Sequence, residues 1–243
     1  METLVPAPAK GRAFAARRRI RLSDMDADGR LRLDAVARFL QDVATDDVDE
    51  TGWGAPEHLW VIRRIRIDVL VPFLDDRAVE LVTWCSGLAG VAAGRRWSLV
   101  GDRGGKTEVD SVWIHLGPDG RPVRLDDSFG VYSKAAAGRR VSTRLELPDP
   151  PADAERTSWP LRTTDVDLHG HVNNAAYWHA IEQRLPRSGV DPRRPLRALL
   201  DYRRPIDLAD EIDLVDFSED GRANLAFVAL GVAKAVARLE PAG

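Results

Sequence analysis

A short segment in the second half of the chain concentrates residues that can do chemistry. Asp165, Asp167, His169 and His171 occupy every second position, and Gly170 lies between the two histidines. Glycine permits a backbone turn that a side chain would hinder, and an amphipathic helical pattern follows directly. A carboxylate, an imidazole and the unpaired N–H groups of a helix start can together form a catalytic site.

The composition excludes several classes of protein. The chain has 243 residues, of which 44% are hydrophobic and 30% charged, and its net charge is −3. This balance is ordinary for a soluble globular protein and gives no indication of nucleic-acid binding. No run of apolar residues is long enough to predict a membrane span. The single cysteine, Cys85, excludes an internal disulfide framework, so we expect a cytoplasmic protein.

The first residues and the middle of the chain lack the periodicity of helices or strands. The N-terminal stretch has prolines and charges but no apolar core of the signal-peptide type. Pro148-Asp149-Pro150-Pro151 cannot be helical and predicts a stiff, extended connector. The predicted organisation is a flexible tail at residues 1–13, an N-terminal unit at 14–150 and a C-terminal unit with the candidate site at 151–243.

An acidic turn near the N-terminus first suggests a calcium loop. Its acids and glycine fit such a loop, but the last ligand position is Ala35 rather than glutamate. An internal repeat explains the turn better, and the similarity resumes further along at a shift of 133 residues. A shift of 141 residues superimposes Asp24 on Asp165, Asp26 on Asp167, Gly29 on Gly170 and Gln41 on Glu182.

The elements after each turn are also repeated. Val36, Phe39, Leu40 and Val43 form an apolar stripe at helical spacing after the first turn. Strand-like runs with partial period-two alternation follow each helical pattern, and glycine-rich turns separate them. One long helix and a group of strands in each half predict an α+β fold.

One motif resembles a known family. Asp167-Leu168-His169-Gly170-His171-Val172-Asn173-Asn174, with Tyr177 three residues later, is similar to the signature of hotdog-fold thioesterases. Two such units in tandem resemble the acyl-[acyl-carrier-protein] thioesterases of plants and bacteria, as do Val82-Thr83-Trp84 and Leu200-Asp201-Tyr202-Arg203-Arg204. The resemblance implies a double hotdog, in which a curved antiparallel sheet wraps each long helix and the two units share one sheet. It also implies hydrolysis of fatty acyl thioesters, preferably on acyl carrier protein.

Thioester hydrolysis assigns candidate roles to the motif residues. Asp167 is the candidate base or nucleophile, and the sequence leaves both roles open. His169 and His171 are candidate catalytic residues that orient water or protonate the departing thiolate. The remaining candidates bind the substrate or stabilise the oxyanion, partly through backbone N–H groups at the helix start: Gly170, Val172, Asn173, Asn174 and Tyr177.

The expected partners follow from the same reaction. They are a fatty acyl thioester as substrate and, as its carrier, acyl carrier protein or coenzyme A. A homodimer is left open as a possibility. We expect no cofactor, and we expect no metal ion because His169 and His171 lack a separate third ligand. Arginine pairs such as Arg63-Arg64 and Arg203-Arg204 are candidates for a basic surface that receives an acidic carrier.

Two positions depart from the pattern of the plant enzymes. His169 replaces an asparagine, and Pro205 replaces a glutamate after Tyr-Arg-Arg, so a mechanism that uses that glutamate cannot operate unchanged. The first copy has Arg30 where the second has His171. Because arginine is a poor proton shuttle, we expect the first half to shape the acyl cavity. The alternatives are an acyl-CoA thioesterase, a hotdog dehydratase or hydratase, and a non-catalytic acyl-binding or carrier-docking module.

Overall fold

One antiparallel sheet dominates the fold. A computed structural model describes residues 4–53 and 58–242 of the chain. The strand order across the sheet is β1-β3-β4-β5-β2-β7-β10-β9-β8-β6. The helices are α1 (Leu33–Thr51), α2 (Gly130–Ala136) and α3 (Ala176–Arg184). The strands are β1 (Ala13–Arg19), β2 (Leu59–Val71), β3 (Ala78–Ala89), β4 (Ala92–Gly101), β5 (Lys106–Leu116), β6 (Thr157–Trp159), β7 (Leu196–Tyr202), β8 (Ile212–Glu219), β9 (Arg222–Ala229) and β10 (Val232–Pro241).

The sheet consists of two matching halves that meet at its centre. The first half reads β1-β3-β4-β5-β2 from its edge, and the second half reads β6-β8-β9-β10-β7 from the opposite edge. The central strands β2 and β7 pair antiparallel from Arg64 opposite Asp201 to Val69 opposite Leu196. The predicted double hotdog with a shared sheet is therefore confirmed. A pseudo-twofold axis, which relates residues 141 apart at the two turns, describes this arrangement.

Helices α1 and α3 pack against each other, and their buried residues share one core with residues of the strands. The apolar stripe predicted for α1 is buried, and Val43 has no exposed surface. A helix is present in each half, as predicted, but α3 is shorter than α1, since it has nine residues and passes into a short 3-10 turn at Leu185–Arg187. Pro186 has no backbone N–H to donate to the carbonyl one turn earlier, so the α-helix cannot continue through it.

The connector and the N-terminal stretch are more ordered than the sequence indicates. Helix α2 lies in the connector and packs on β3. The guanidinium of Arg12 contacts Asp47 on α1 at 2.6 Å, and a Cβ added to Gly11 would lie 2.5 Å from the backbone N of Ala135. Gly11 and Arg12 of the predicted tail thus contact the fold, whereas residues 1–3 fall outside the described residues.

Two further features limit the chemistry of the fold. Cys85 on β3 is buried, and burial raises the pKa of its thiol to about 11. It is therefore not a thiolate nucleophile at neutral pH. In the described residues, no helix combines the length and the apolar character that a membrane crossing requires.

Candidate active site

The two repeated turns begin with the same carboxylate cap. Each opens on a short 3-10 segment, Leu22–Asp24 in the first half and Thr163–Asp165 in the second. Asp24 accepts the backbone N–H of Arg21 at 2.8 Å, and Asp165 accepts that of Arg162 at 2.9 Å. Burial alone would raise the pKa of Asp165, but the hydrogen bonds from Arg162 lower it below its usual value. Asp165 therefore supports the turn, because its carboxylate is buried and already paired.

The backbone of the two turns matches bond for bond. The N–H of Gly29 donates to Asp26 O at 3.1 Å, and that of Gly170 donates to Asp167 O at 3.0 Å. Both glycines have a φ of +80°, a left-handed conformation that side chains disfavour. The next backbone bond also repeats, from Leu31 N to Phe73 O and from Val172 N to Ile206 O. The repeat read from the sequence is thus present in the hydrogen bonds.

Hydrogen bonds hold the Asp167 carboxylate in place but do not fill all of its acceptor positions. Its Oδ1 accepts the backbone N–H of His169 at 2.9 Å, and its Oδ2 accepts Nδ2 of Asn173 at 3.3 Å. A carboxylate offers about four acceptor positions, so two remain for water or substrate. Since Asp167 is only partly buried, solvent can reach these positions.

His171 forms an acid–imidazole pair that the sequence did not reveal. Its Nδ1 lies 2.6 Å from Oδ1 of Asp207, and the two side chains are 49% and 57% exposed. This contact orients the ring and leaves Nε2 directed elsewhere. Asp207 follows Pro205 by two residues, and side chains at that spacing share one side of an extended segment. That spacing was the signal that an acid could stand in for the glutamate missing at Pro205.

The backbone donors predicted for the oxyanion are occupied. The N–H groups of Gly170 and Val172 bind the carbonyls of Asp167 and Ile206, so neither can polarise a thioester. The N–H of Asn173 is also occupied, since it donates to Asp165 O at 2.8 Å, whereas the N–H of Asn174 has no acceptor among the described residues. Its position just before α3 gives it the positive end of the helix dipole, which makes it the better candidate.

Asn174 is fixed by contacts on its carbonyl side. Its backbone O accepts the hydroxyl of Tyr202 at 2.9 Å, and Trp178 Nε1 donates to that hydroxyl at 3.2 Å. Asn173 caps the helix start by accepting the N–H of Ala175 on its Oδ1 at 2.9 Å. The loop that carries the free donor is therefore anchored to both β7 and α3.

The last two predicted site residues lie in contrasting environments. The ring of His169 is exposed and has no partner in the described part of the chain, so His169 contributes only its backbone N–H to Asp167. Tyr177 is 3% exposed and packs against the rings of Trp159, Tyr202 and Phe227. Burial raises the pKa of Tyr177, and nearby carboxylates raise it further. Those carboxylates are Asp210, Asp207 and Asp167.

The first turn is closed, in the sense that its polar groups are paired with one another, whereas the second turn is open because some of its polar groups are unpaired. Asp26 accepts Nε of Arg30 at 3.0 Å in addition to two backbone N–H groups. Arg30 also pairs with Glu182 of α3 at 2.8 Å, and Glu182 accepts the N–H of Leu33 at the start of α1. The crevice beside Arg30 and Leu33 measures only about 10 Å³. A space of that size holds about one water molecule and no acyl group.

The side chains of the described residues do not form a cluster suited to a metal ion. Residues 4–53 and 58–242 contain no group of three or more His, Cys, Asp or Glu side chains in such an arrangement.

Comparison with known proteins identifies the family. The family sequence model for the acyl-ACP thioesterase N-terminal domain matches residues 11–129. The one for the C-terminal domain of the same family matches residues 149–230. An uncharacterized protein from Mycobacterium tuberculosis is 31% identical over 227 residues, which cover 93% of this chain and 90% of that protein.

Plant proteins share both sequence and fold with this chain. The chloroplastic oleoyl-acyl carrier protein thioesterase 2 of Arabidopsis thaliana is 25% identical over 213 residues. The match covers 77% of this chain but 58% of the plant protein. The structure of the 12:0-ACP thioesterase from Umbellularia californica superimposes with a TM-score of 0.74 at 19% identity, covering 94% of this chain and 96% of that one. This chain belongs to the acyl-ACP thioesterase family and is a thioester hydrolase.

Proposed function

We propose that the second turn hydrolyses a fatty acyl thioester carried by acyl carrier protein and releases the free fatty acid. The observation that carries the proposal is the set of unsatisfied groups at the start of α3. They are a partly exposed carboxylate on Asp167, an unpaired N–H on Asn174 and an imidazole on His171 that Asp207 orients. The matching groups of the first turn are all engaged, which supports a single reaction centre.

The reaction follows from the roles of these groups. Asp167 takes a proton from water, and the resulting hydroxide attacks the carbonyl carbon. The N–H of Asn174 donates to the oxyanion as the tetrahedral intermediate forms. The intermediate then breaks its C–S bond, and His171 donates the proton that its Nε2 carries at the start of the cycle to the departing thiolate. Proton transfer from Asp167 back to His171 through water completes the cycle.

A second route uses Asp167 as the nucleophile. Its carboxylate would attack the carbonyl, expel the thiolate and leave a mixed anhydride that water then hydrolyses. A single turnover in ¹⁸O-labelled water separates the base route from an anhydride that water attacks at the aspartyl carbon. In that anhydride route, the first fatty acid released carries an unlabelled oxygen from Asp167, and the label enters the Asp167 carboxylate. In the base route, the label enters the fatty acid in the first turnover and Asp167 stays unlabelled.

The carrier requires a basic surface. In the two arginine pairs named above, one arginine of each is paired with an acid, Arg64 with Glu146 and Arg203 with Asp149. Arginines without an acidic partner in the described residues instead surround a concave surface of about 520 Å³ beside β1. These are Arg17, Arg19, Arg21 and Arg77. We assign the anionic part of the carrier or of coenzyme A to this surface.

The decisive experiment measures thiol release from a panel of acyl-carrier and acyl-CoA thioesters. We expect turnover, with a higher kcat/KM on the carrier-bound substrates, and a large loss in Asp167→Asn. Higher kcat/KM on coenzyme A would assign the protein to the alternative acyl-CoA thioesterases. Tight acyl binding without turnover on either substrate would overturn the proposal in favour of a binding module. Arg19→Glu, as a surface variant, should raise KM and leave kcat unchanged.

A further inference from the structure

The helix of the first half carries a polar side chain that its own half does not use. We infer that Gln41 of α1 holds the attacking water at the reaction centre of the second half. This inference rests on the proposed thioester hydrolysis. It adds a residue from the opposite half to a site whose other groups come from the second half.

The pseudo-twofold axis gives Gln41 its position. Glu182 of α3 crosses to the first half and accepts the N–H of Leu33 at the start of α1. The residue equivalent to Glu182 is Gln41, and the residue equivalent to Leu33 is Asn174. Because the turns match in their hydrogen bonds and α1 packs on α3, the symmetry predicts that Gln41 faces the start of α3, as Glu182 faces the start of α1.

Both groups at this position lack a partner. The Oε1 atom of Gln41 is shielded from solvent and has no hydrogen bond in the structure. The N–H of Asn174 has none within the described ranges either. Buried polar atoms are nearly always paired, so the unpaired Oε1 of Gln41 indicates a bound molecule beside it, on the side where the symmetry places the N–H of Asn174. In the first half the equivalent groups bond directly to each other, which leaves no such space.

The chemistry of a carboxamide explains why glutamine suits the open site. Its oxygen accepts one hydrogen of a water molecule while Asp167 accepts the other, which points the water lone pair at the thioester carbon. The carbonyl oxygen of the thioester remains free to accept the N–H of Asn174. A glutamate at position 41 would instead compete for that N–H, as Glu182 does in the first half.

The test replaces Gln41 with methionine, which keeps the unbranched shape and removes the acceptor. We expect Gln41→Met to lower kcat about tenfold to hundredfold, less than the about 10²–10³-fold effect of losing an oxyanion donor, because Asp167 still binds the water. The KM should stay the same, since Gln41 contacts water rather than the acyl chain. The matched variant Glu182→Gln should keep the wild-type kcat, and thermal unfolding of both variants reports whether they fold.

The double variant Gln41→Met/Asp167→Asn distinguishes a shared water from a general packing effect. If both residues act on one water molecule, the double variant loses no more activity than Asp167→Asn alone. Independent, multiplicative losses would overturn the inference, as would a wild-type kcat or a raised KM in folded Gln41→Met. A wild-type protein that hydrolyses no thioester would refute the proposed function itself, whatever the variants do.

Discussion

The two turns of this protein share a backbone and differ in what their side chains bind. In the first turn, Arg30 satisfies Asp26, and Glu182 satisfies both Arg30 and the N–H of Leu33. In the second turn, His171 turns away to Asp207 and leaves Asp167 partly free. In the proposed mechanism, the second turn is reactive because some of its donors and acceptors are left unpaired. Under that proposal, the same backbone supports the fold in the first turn and carries the reaction in the second.

The difference depends on two substitutions across the pseudo-twofold axis. Arginine is always charged and has a fork of donors, so Arg30 binds two carboxylates at once. Histidine has one donor and one acceptor when neutral, so His171 can bind Asp207 and still exchange a proton. The second change replaces the anionic Glu182 with the neutral Gln41, which does not neutralise a cation.

The largest effect should come from removing the free carboxylate. Asp167→Asn eliminates the base or nucleophile, and we expect kcat to fall by about 10²–10⁴-fold. The matched control is Asp26→Asn, which changes the closed turn and should keep most activity while it lowers stability. Steady-state thiol release measures both. Full activity in Asp167→Asn, or equal losses in the two variants, would remove the distinction between the turns.

A smaller loss should follow from breaking the acid–imidazole pair. Asp207→Asn leaves the ring of His171 without its carboxylate, and we expect kcat to fall about tenfold to hundredfold. This is below the ~10⁴-fold effect of the buried aspartate in serine protease triads, because Asp207 is 57% exposed and water can substitute. Asp210→Asn is the control, since Asp210 pairs with Lys234 at 3.1 Å. Comparable losses in both would show a general charge effect.

Removing an ion pair from the first turn should lower the stability of the protein and leave its activity unchanged. Glu182→Gln removes the charge that neutralises Arg30, and we expect the free energy of unfolding to fall by about 1–3 kcal/mol. Urea denaturation measures the change, and kcat should remain that of the wild type. Glu50→Gln, at an exposed ion pair with Arg12, should change stability by less than about 0.5 kcal/mol. An unchanged unfolding free energy in Glu182→Gln would mean that the ion pair does not hold the halves together.

The smallest effect concerns the acid stability of α1. Burial alone would raise the pKa of Asp34, but hydrogen bonds from His179 and Arg32 lower it well below its usual range. A lowered carboxyl pKa means that the unfolded chain binds the proton more readily, so stability is complete above the unfolded pKa of about 3.9 and falls as pH drops below it. Between pH 6 and pH 3, we expect the free energy of unfolding to fall by about 1 kcal/mol less in Asp34→Asn than in the wild type. Urea denaturation at each pH measures this difference. An identical pH dependence in wild type and variant would contradict this.

The sequence predicted the parts of the fold that local patterns determine. The apolar stripe of α1, the Asp-Gly turns and the strand alternation each act over a few residues, and each is present. The contacts that distinguish the turns join residues far apart, such as Arg30 with Glu182 and His171 with Asp207. Local spacing pointed to Asp207 as an acid two residues after Pro205, but no local pattern indicated its pairing with His171 or that of Arg30 with Glu182. The occupied N–H of Val172 belongs to the same class, because its acceptor is Ile206 on a distant segment.

The junction of β2 with β7 has a consequence for stoichiometry. In a symmetric dimer of identical units, any substitution occurs in both copies, so both turns would be open or both closed. Here the two halves of one sheet belong to one chain, and each turn carries its own residues. One turn could therefore give up turnover and become a rigid support for the other. Titration with a non-hydrolysable acyl thioester analogue should accordingly count one bound ligand per chain rather than one per turn.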